Sequence, residues 1–180
     1  KKNLGVCYEF GRGVEQDRER AAALYREAAQ AGHAEAQFRL ARCLEYGRGV
    51  QKDIPQAIRW YERAAEQGHA GAQASLGCLY DFGTDVERDV QKAVEWYVRA
   101  AEGGDPVAQN NLGECYRRGI GVPRDAGEAA RLYRLAAEQG DATACWNLGE
   151  CYEHGDGVEA DMAQAVRWYT RAAEGDDPDA

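Results

Sequence analysis

Serine and methionine are almost missing from this sequence, which holds one of each, Ser75 and Met162. No serine-nucleophile motif can be assembled around Ser75. Basic residues are in deficit, 22 Lys and Arg against 31 Asp and Glu, for a formal net charge of -9. That balance argues against nucleic acid and against an anionic membrane surface, both of which are held mainly by Lys and Arg. No run of about 18 apolar residues exists, so no segment spans a bilayer as a helix. There is no C-x-x-C among the six cysteines. No Pro-, Ser- or Gly-rich linker and no low-complexity segment interrupts the chain. The opening Lys1-Lys2-Asn3-Leu4 carries neither a start methionine nor an apolar signal segment. The chain is therefore expected to be a piece of a longer protein or a processed product. Hydrophobic residues at 44% are close to the globular norm and argue against disorder.

What is present is a repeat. The 180 residues divide into five blocks of 36 without insertion or deletion. Leu4, Leu40, Leu76, Leu112 and Leu148 hold the register, each followed by Gly or, in the second block, Ala41. Gly11, Gly47, Gly83, Gly119 and Gly155 come next, then Asp17, Asp53, Asp89, Asp125 and Asp161. Tyr25, Tyr61, Tyr97, Tyr133 and Tyr169 close each block, trailed by an Ala pair such as Ala64-Ala65.

Each block reads as two helices. In the second, Ala36, Leu40 and Leu44 form one helical face, Gly47-Arg48-Gly49-Val50 breaks the helix, and Asp53 stands where an N-cap belongs. Ala57, Tyr61 and Ala64-Ala65 are the stripe of the second helix, and Pro55 falls in its first turn. First helices are predicted at about 1–10, 34–46, 70–82, 106–118 and 142–154, second helices at about 18–31, 54–67, 90–103, 126–139 and 162–174. Pro178 after Asp177 has the phase of Pro106 after Asp105, so a sixth first helix is expected to begin as the sequence ends. One two-helix unit cannot bury both faces. Stacked copies can, which predicts an all-α fold, a right-handed α/α superhelical solenoid. The whole of 1–180 is expected to be one domain, with repeats at about 1–33, 34–69, 70–105, 106–141 and 142–180. Uncapped ends leave end-to-end self-association open.

These residues resemble the Sel1-like repeat family, a relative of the tetratricopeptide repeat. The pattern stands as Ala108 through Leu112-Gly113-Glu114-Cys115-Tyr116, Gly119-Ile120-Gly121-Val122 and Asp125, and as Ala165, Trp168-Tyr169 and Ala172-Ala173. Asp85 departs from it in place of the second turn Gly, where it is expected to take the left-handed conformation with modest strain. Leu24 and Leu132 replace Trp and predict smaller core contributions. The resemblance implies a scaffold or adaptor that binds protein, without catalysis or cofactor.

Non-motif positions of the first helices form rows 36 apart. One is Phe10, Tyr46, Phe82, Arg118 and His154. Others hold Phe38, Asn110 and Trp146, or Arg42, or Arg117. Nine of the ten Tyr are at motif phase, whereas Tyr46, all three Phe and Trp146 are not. Aromatics and Arg are the residues hot spots use. The expected site is a concave groove with Phe10, Phe38, Arg42, Tyr46 and Phe82 in its N-terminal half and Asn110, Arg117, Arg118, Trp146 and His154 in its C-terminal half. It would take a peptide, a helix or a protein surface. The bland alternative is that these aromatics only shield the helix layer.

The second helices contain no Cys. A cysteine-rich branch of the family staples its two helices with Cys pairs, so that branch and its oxidising compartment are disfavoured and a reduced, cytoplasmic one slightly favoured. Cys7, Cys43, Cys115 and Cys151 share one phase and read as small buried thiols. Cys151 and His154 lie three apart, but zinc wants at least three protein ligands, so no metal is expected. His33 and His69 read as helix-start residues. An RNA-binding helical repeat, and a metal or thiol sensor or enzyme using Cys151 and His154, stand as alternatives.

Overall fold

The computed structural model describes residues 2–175. Among them the chain forms ten α-helices: α1 (Lys2–Phe10), α2 (Arg18–Gln30), α3 (Ala34–Tyr46), α4 (Ile54–Glu66), α5 (Ala70–Phe82), α6 (Val90–Glu102), α7 (Pro106–Arg118), α8 (Ala126–Glu138), α9 (Ala142–His154) and α10 (Met162–Gly175). No strand occurs among the described residues. Odd-numbered helices open each repeat and even-numbered helices close it. The observed limits fall within two residues of those read from the periodicity. The expected sixth opening helix, with Asp177 and Pro178, lies outside the described residues.

Local chemistry accounts for where helices start and stop. Asp17, Asp53, Asp89 and Asp125 each accept a backbone N–H three residues on, at 2.9–3.0 Å, and so cap α2, α4, α6 and α8. The odd helices α3, α7 and α9 end on Gly47, Gly119 and Gly155 in the left-handed conformation. The following residue then closes the turn: Arg48 N–H donates to Cys43 O and Ile120 N–H to Cys115 O, both at 2.9 Å.

The second turn glycine has a different job. Gly49 has φ +71°, and a Cβ there would run into the carbonyl of Arg18, on the preceding repeat's even helix. Gly157 meets Ala126 the same way. Asp85 occupies this phase in the third repeat, and it does not adopt the left-handed conformation expected of it. No non-Gly residue among the described ones has positive φ. The turn is rerouted instead, and the Asp85 carboxylate accepts an ion pair from Lys52 at 2.8 Å, in the neighbouring turn.

Packing is continuous because α2, α4, α6 and α8 each contact the odd helix of their own repeat and that of the next, and α10 packs on α9. Tyr25, Tyr61, Tyr97, Tyr133, Leu40, Leu76 and Leu148 are fully buried. The Tyr rings lie directly on the odd-helix backbone: a Cβ on Gly77 would fall 2.5 Å from the Tyr97 ring, and one on Gly149 2.6 Å from that of Tyr169. A buried glutamine row stitches successive repeats. Gln37, Gln73 and Gln109 donate from Nε2 to Ala29, Ala65 and Ala101 O at 3.2, 3.0 and 3.4 Å. Each of these carbonyls near a helix C-terminus also accepts a backbone N–H, from Gly32, Gly68 and Gly104 at 3.0 Å, so the glutamine adds a second bond that comes from the next repeat. At the Trp phase, Leu132 is buried and Leu24 half-buried, while Trp60, Trp96 and Trp168 are half-buried beneath Arg63, Arg99 and Arg171.

Candidate functional site

The solvent-facing side of the odd helices carries the predicted rows. On α3 it comprises Glu35, Phe38, Arg39, Arg42, Glu45 and Tyr46, while Ala36, Gln37, Leu40, Ala41, Cys43 and Leu44 point inward. Phe10 and Tyr46 are each 55% exposed, Phe82 67% and Trp146 54%. No packing requirement explains rings at that exposure. Phe10, Tyr46 and Phe82 end three successive odd helices, so they line one edge of the face, beside the turns.

Other members of the predicted set are placed differently. Phe38 is half-buried, stacked on the His69 ring at 4.6 Å and tilted against Tyr61 at 5.9 Å. The Arg42 guanidinium lies 5.8 Å from the centre of its ring. Asn110 is buried. It donates to Asn111 Oδ1 at 3.3 Å and accepts from Asn147 Nδ2 at 2.9 Å. It therefore joins repeats four and five from inside and does not line the surface. Trp146 packs on Tyr169 with ring centroids 4.8 Å apart and still exposes its outer half. Arg117, Arg118 and His154 are exposed.

Tyrosine–carboxylate couples run beneath this face and went unnoticed in the sequence. The buried Tyr25 and Tyr61 and the half-buried Tyr169 each send a hydroxyl to the carboxylate sixteen residues earlier: Glu9 at 2.5 Å, Glu45 at 2.5 Å and Glu153 at 2.6 Å. Tyr97 reaches Asp81 at 3.4 Å. In the fourth repeat that phase holds Arg117, so Tyr133 donates to Glu114, one turn back, at 2.9 Å. Arg117 then pairs with Glu114 at 2.7 Å. Burial, reinforced by the facing carboxylates, pushes the Tyr25, Tyr61 and Tyr133 hydroxyls well above the usual phenol range, so they keep the protons they donate to those carboxylates. The signal was the offset of sixteen between an acid and the motif Tyr, present in four of the five repeats.

Most carboxylates of this face are engaged internally. Glu35 accepts from Arg39 at 2.6 Å and from His69 Nε2 at 3.0 Å. His69 Nδ1 accepts the Ala72 N–H at 3.2 Å, which fixes the tautomer with its proton on Nε2. Burial by itself would raise the Glu35 carboxyl, but the His69 hydrogen bond and the Arg39 guanidinium outweigh it and hold it below its ordinary value. Glu114 is likewise held low, the bonds from Arg117 and Tyr133 outweighing burial.

The six cysteines are free thiols. Burial pushes Cys43, Cys115 and Cys151 up to about 11, which leaves them protonated and unreactive at neutral pH. Cys151 is buried while His154 is exposed. Among the described residues no three His, Cys, Asp or Glu side chains converge to hold a metal. No described helix is long and apolar enough to cross a membrane.

The Sel1 repeat family model matches residues 2–33, 34–69, 70–105, 106–141 and 142–177. The chain is similar to a Sel1 repeat protein from Oxalobacter formigenes, with 38% identity over 97% of this chain and 70% of that one, at a TM-score of 0.88. It is also similar to c5321, a protective antigen of uropathogenic Escherichia coli strains with an SLR fold: 38% identity over 98% of this chain, at a TM-score of 0.87. The match spans 38% of the Escherichia coli protein's length. Helicobacter pylori cysteine rich protein B shares 26% identity over 71% of this chain and 92% of its own, at a TM-score of 0.56. No curated protein matches.

Proposed function

The chain belongs to the Sel1 repeat family, and from that premise we infer that the exposed face of its odd helices docks a protein segment, so that the molecule works as a non-catalytic scaffold or adaptor. Proteins of this family are generally interaction scaffolds. One observation carries the finer reading. The aromatics the repeat motif requires are buried or half-buried, whereas Phe10, Tyr46 and Phe82 stand exposed at one phase of three consecutive repeats. An exposed ring contributes little to folding and much to a desolvated contact. An extended peptide or an amphipathic helix suits a face whose rungs recur at about 8–10 Å, the usual spacing of packed helices.

The test is a Phe10→Ala, Tyr46→Ala, Phe82→Ala variant. Phe38 is left alone, because its stacking on His69 ties it to stability. Affinity capture from native lysate should lose the wild-type partner, while helical circular dichroism and melting temperature stay close to wild type. Capture that survives all three substitutions would overturn the docking face.

A further inference from the structure

The four boundaries between successive repeats are built alike, and the second departs from the others at three places. At the first, third and fourth boundaries a turn glycine sits against the preceding even helix. Gly49 meets the Arg18 carbonyl, Gly157 meets that of Ala126, and a Cβ on Gly121 would fall 2.9 Å from Val94 Cγ2. At the second boundary that phase is Asp85, which has no positive φ. The phase of Arg39, Asn111 and Asn147 reaches back to the preceding odd helix, to Glu9 and Cys78 at 3.5 Å and to Asn110 at 2.9 Å. On α5 this phase is Ser75, whose hydroxyl donates instead to Gly71 O of its own helix at 2.9 Å. The other four odd helices are closed by an N–H just past the first turn glycine: Arg12, Arg48, Ile120 and Asp156 donate to Cys7, Cys43, Cys115 and Cys151 O at 2.9–3.0 Å. Thr84 makes no such bond to Leu79. The packing of α4 on α5 is also the least extensive of the four between an even helix and the next odd one.

What holds the second boundary is unevenly placed. The start of α5 is pinned. His69, its cap, bonds Glu35 at 3.0 Å and stacks on Phe38 at 4.6 Å, both on α3, and Gln73 donates to Ala65 O at 3.0 Å. At the far end of α5, apolar packing of Leu79 and Val86 is joined by one ion pair between the turns, Lys52 to Asp85 at 2.8 Å. Lys52 is exposed, and an ion pair of this kind is weak and screened by salt. Apolar packing is non-directional and permits small sliding motions.

We propose that the boundary between the second and third repeats is a hinge, pinned at His69 and latched by Lys52 and Asp85. The thirteen residues of α5 place the latch about 20 Å from the pin. A rotation of about 10° at the pin therefore moves the turn end by about 3–4 Å. Tyr46 and Phe82 end the helices on either side, so release of the latch changes the gap between these two exposed rings. The gap between Phe10 and Tyr46 stays fixed, because the Arg39–Glu9 pair and the Gly49 contact hold the first boundary. On the docking reading above, the hinge fits one row of rings to segments of different spacing. The hinge itself does not depend on that reading.

Pulsed dipolar spectroscopy of the free protein tests it. Nitroxides carried on keto amino acids at Ala23 and Glu95, exposed on α2 and α6, span the first two boundaries. A pair at Glu95 and Arg167, exposed on α6 and α10, spans the last two and does not cross the hinge. With packed helices about 8–10 Å apart, both pairs are separated by about 16–20 Å. The distance distribution across the hinge should be about twice as broad as that of the second pair. Lys52→Met, or high salt, should broaden it further with helical circular dichroism unchanged, and should leave the second pair as it was. Asp85→Gly, which restores the turn glycine, should narrow it to the width of the second pair. Equal widths of the two pairs in the wild type would overturn the hinge. A width that responds neither to Lys52→Met nor to salt would overturn the latch, and one that Asp85→Gly leaves broad would overturn the role of the turn. Partner capture that survives the triple aromatic variant would remove the docking face and leave these widths untouched.

Discussion

Tyr61 shows how one residue serves both core and surface. Its ring is fully buried against the odd helix, and its hydroxyl holds Glu45 at the edge of the exposed face. Tyr61→Phe should therefore cost about 1–2 kcal/mol, the range of a hydrogen bond to a charged group whose carboxylate can partly rehydrate. Tyr61→Ala should cost about 3–5 kcal/mol, because it also leaves a cavity. Urea denaturation of the two variants separates the terms, and equal losses would refute the division. The thiols make a second case. Cys43, Cys115 and Cys151 titrate near 11 because they are buried. A maleimide at pH 8 should leave these three unmodified in the native protein and label them in concentrated guanidinium, read by mass spectrometry. A folded thiol value raised above the ordinary 9.0 favours folding below that value, and the contribution is lost as pH rises towards 11.

At the scale of the element, the turn between odd and even helices separates two uses of glycine. Gly13 and Gly49 occupy equivalent positions with φ of 74° and 71°. A Cβ on Gly13 would meet nothing within 4 Å, whereas one on Gly49 would strike the Arg18 carbonyl. Gly13→Ala should therefore cost only the left-handed penalty of about 1–2 kcal/mol. Gly49→Ala should cost clearly more, since backbone must move as well. Thermal melts of the pair test this, and similar losses would show that the contact between repeats is unimportant. The same contact explains Asp85. Its side chain has no room in the position Gly49 uses, so the third turn swings away and ties to Lys52 instead.

At the scale of the whole molecule, stability depends on contacts that cross from repeat to repeat. The glutamine row, the Arg39–Glu9 pair and the Asn110–Asn147 bond all do so. Two of the carboxylates of the odd face, Glu35 and Glu114, are held below their ordinary value of 4.5. A depressed folded value contributes stability above the ordinary one, and that contribution is lost as pH falls through the folded value. The melting temperature should hold between pH 7 and about 5 and fall below about 4.5. Glu35→Gln should flatten the fall and lower the neutral plateau, as followed by circular dichroism across that range. A fall of unchanged steepness would mean that Glu35 is not coupled to folding.

The helices, their limits, the repeat register and the family were readable from residues alone, because a repeat of 36 writes local signals five times over. Asp caps, turn glycines and a Leu/Tyr stripe act within one or two turns of helix, and repetition removes the ambiguity of any single copy. The exposure of Phe10, Tyr46 and Phe82 was also legible, since the motif has no use for them. What only tertiary structure decided depends on neighbours from other helices. Phe38 and Asn110 share a phase with exposed Trp146, yet one stacks on His69 and the other is sealed by Asn111 and Asn147. Arg117 displaces an acid from its row, and Glu114 takes over the Tyr133 hydroxyl. Such outcomes turn on which side chain arrives from another helix, 19 to 37 residues away, and periodicity fixes where that residue comes but not what it does there.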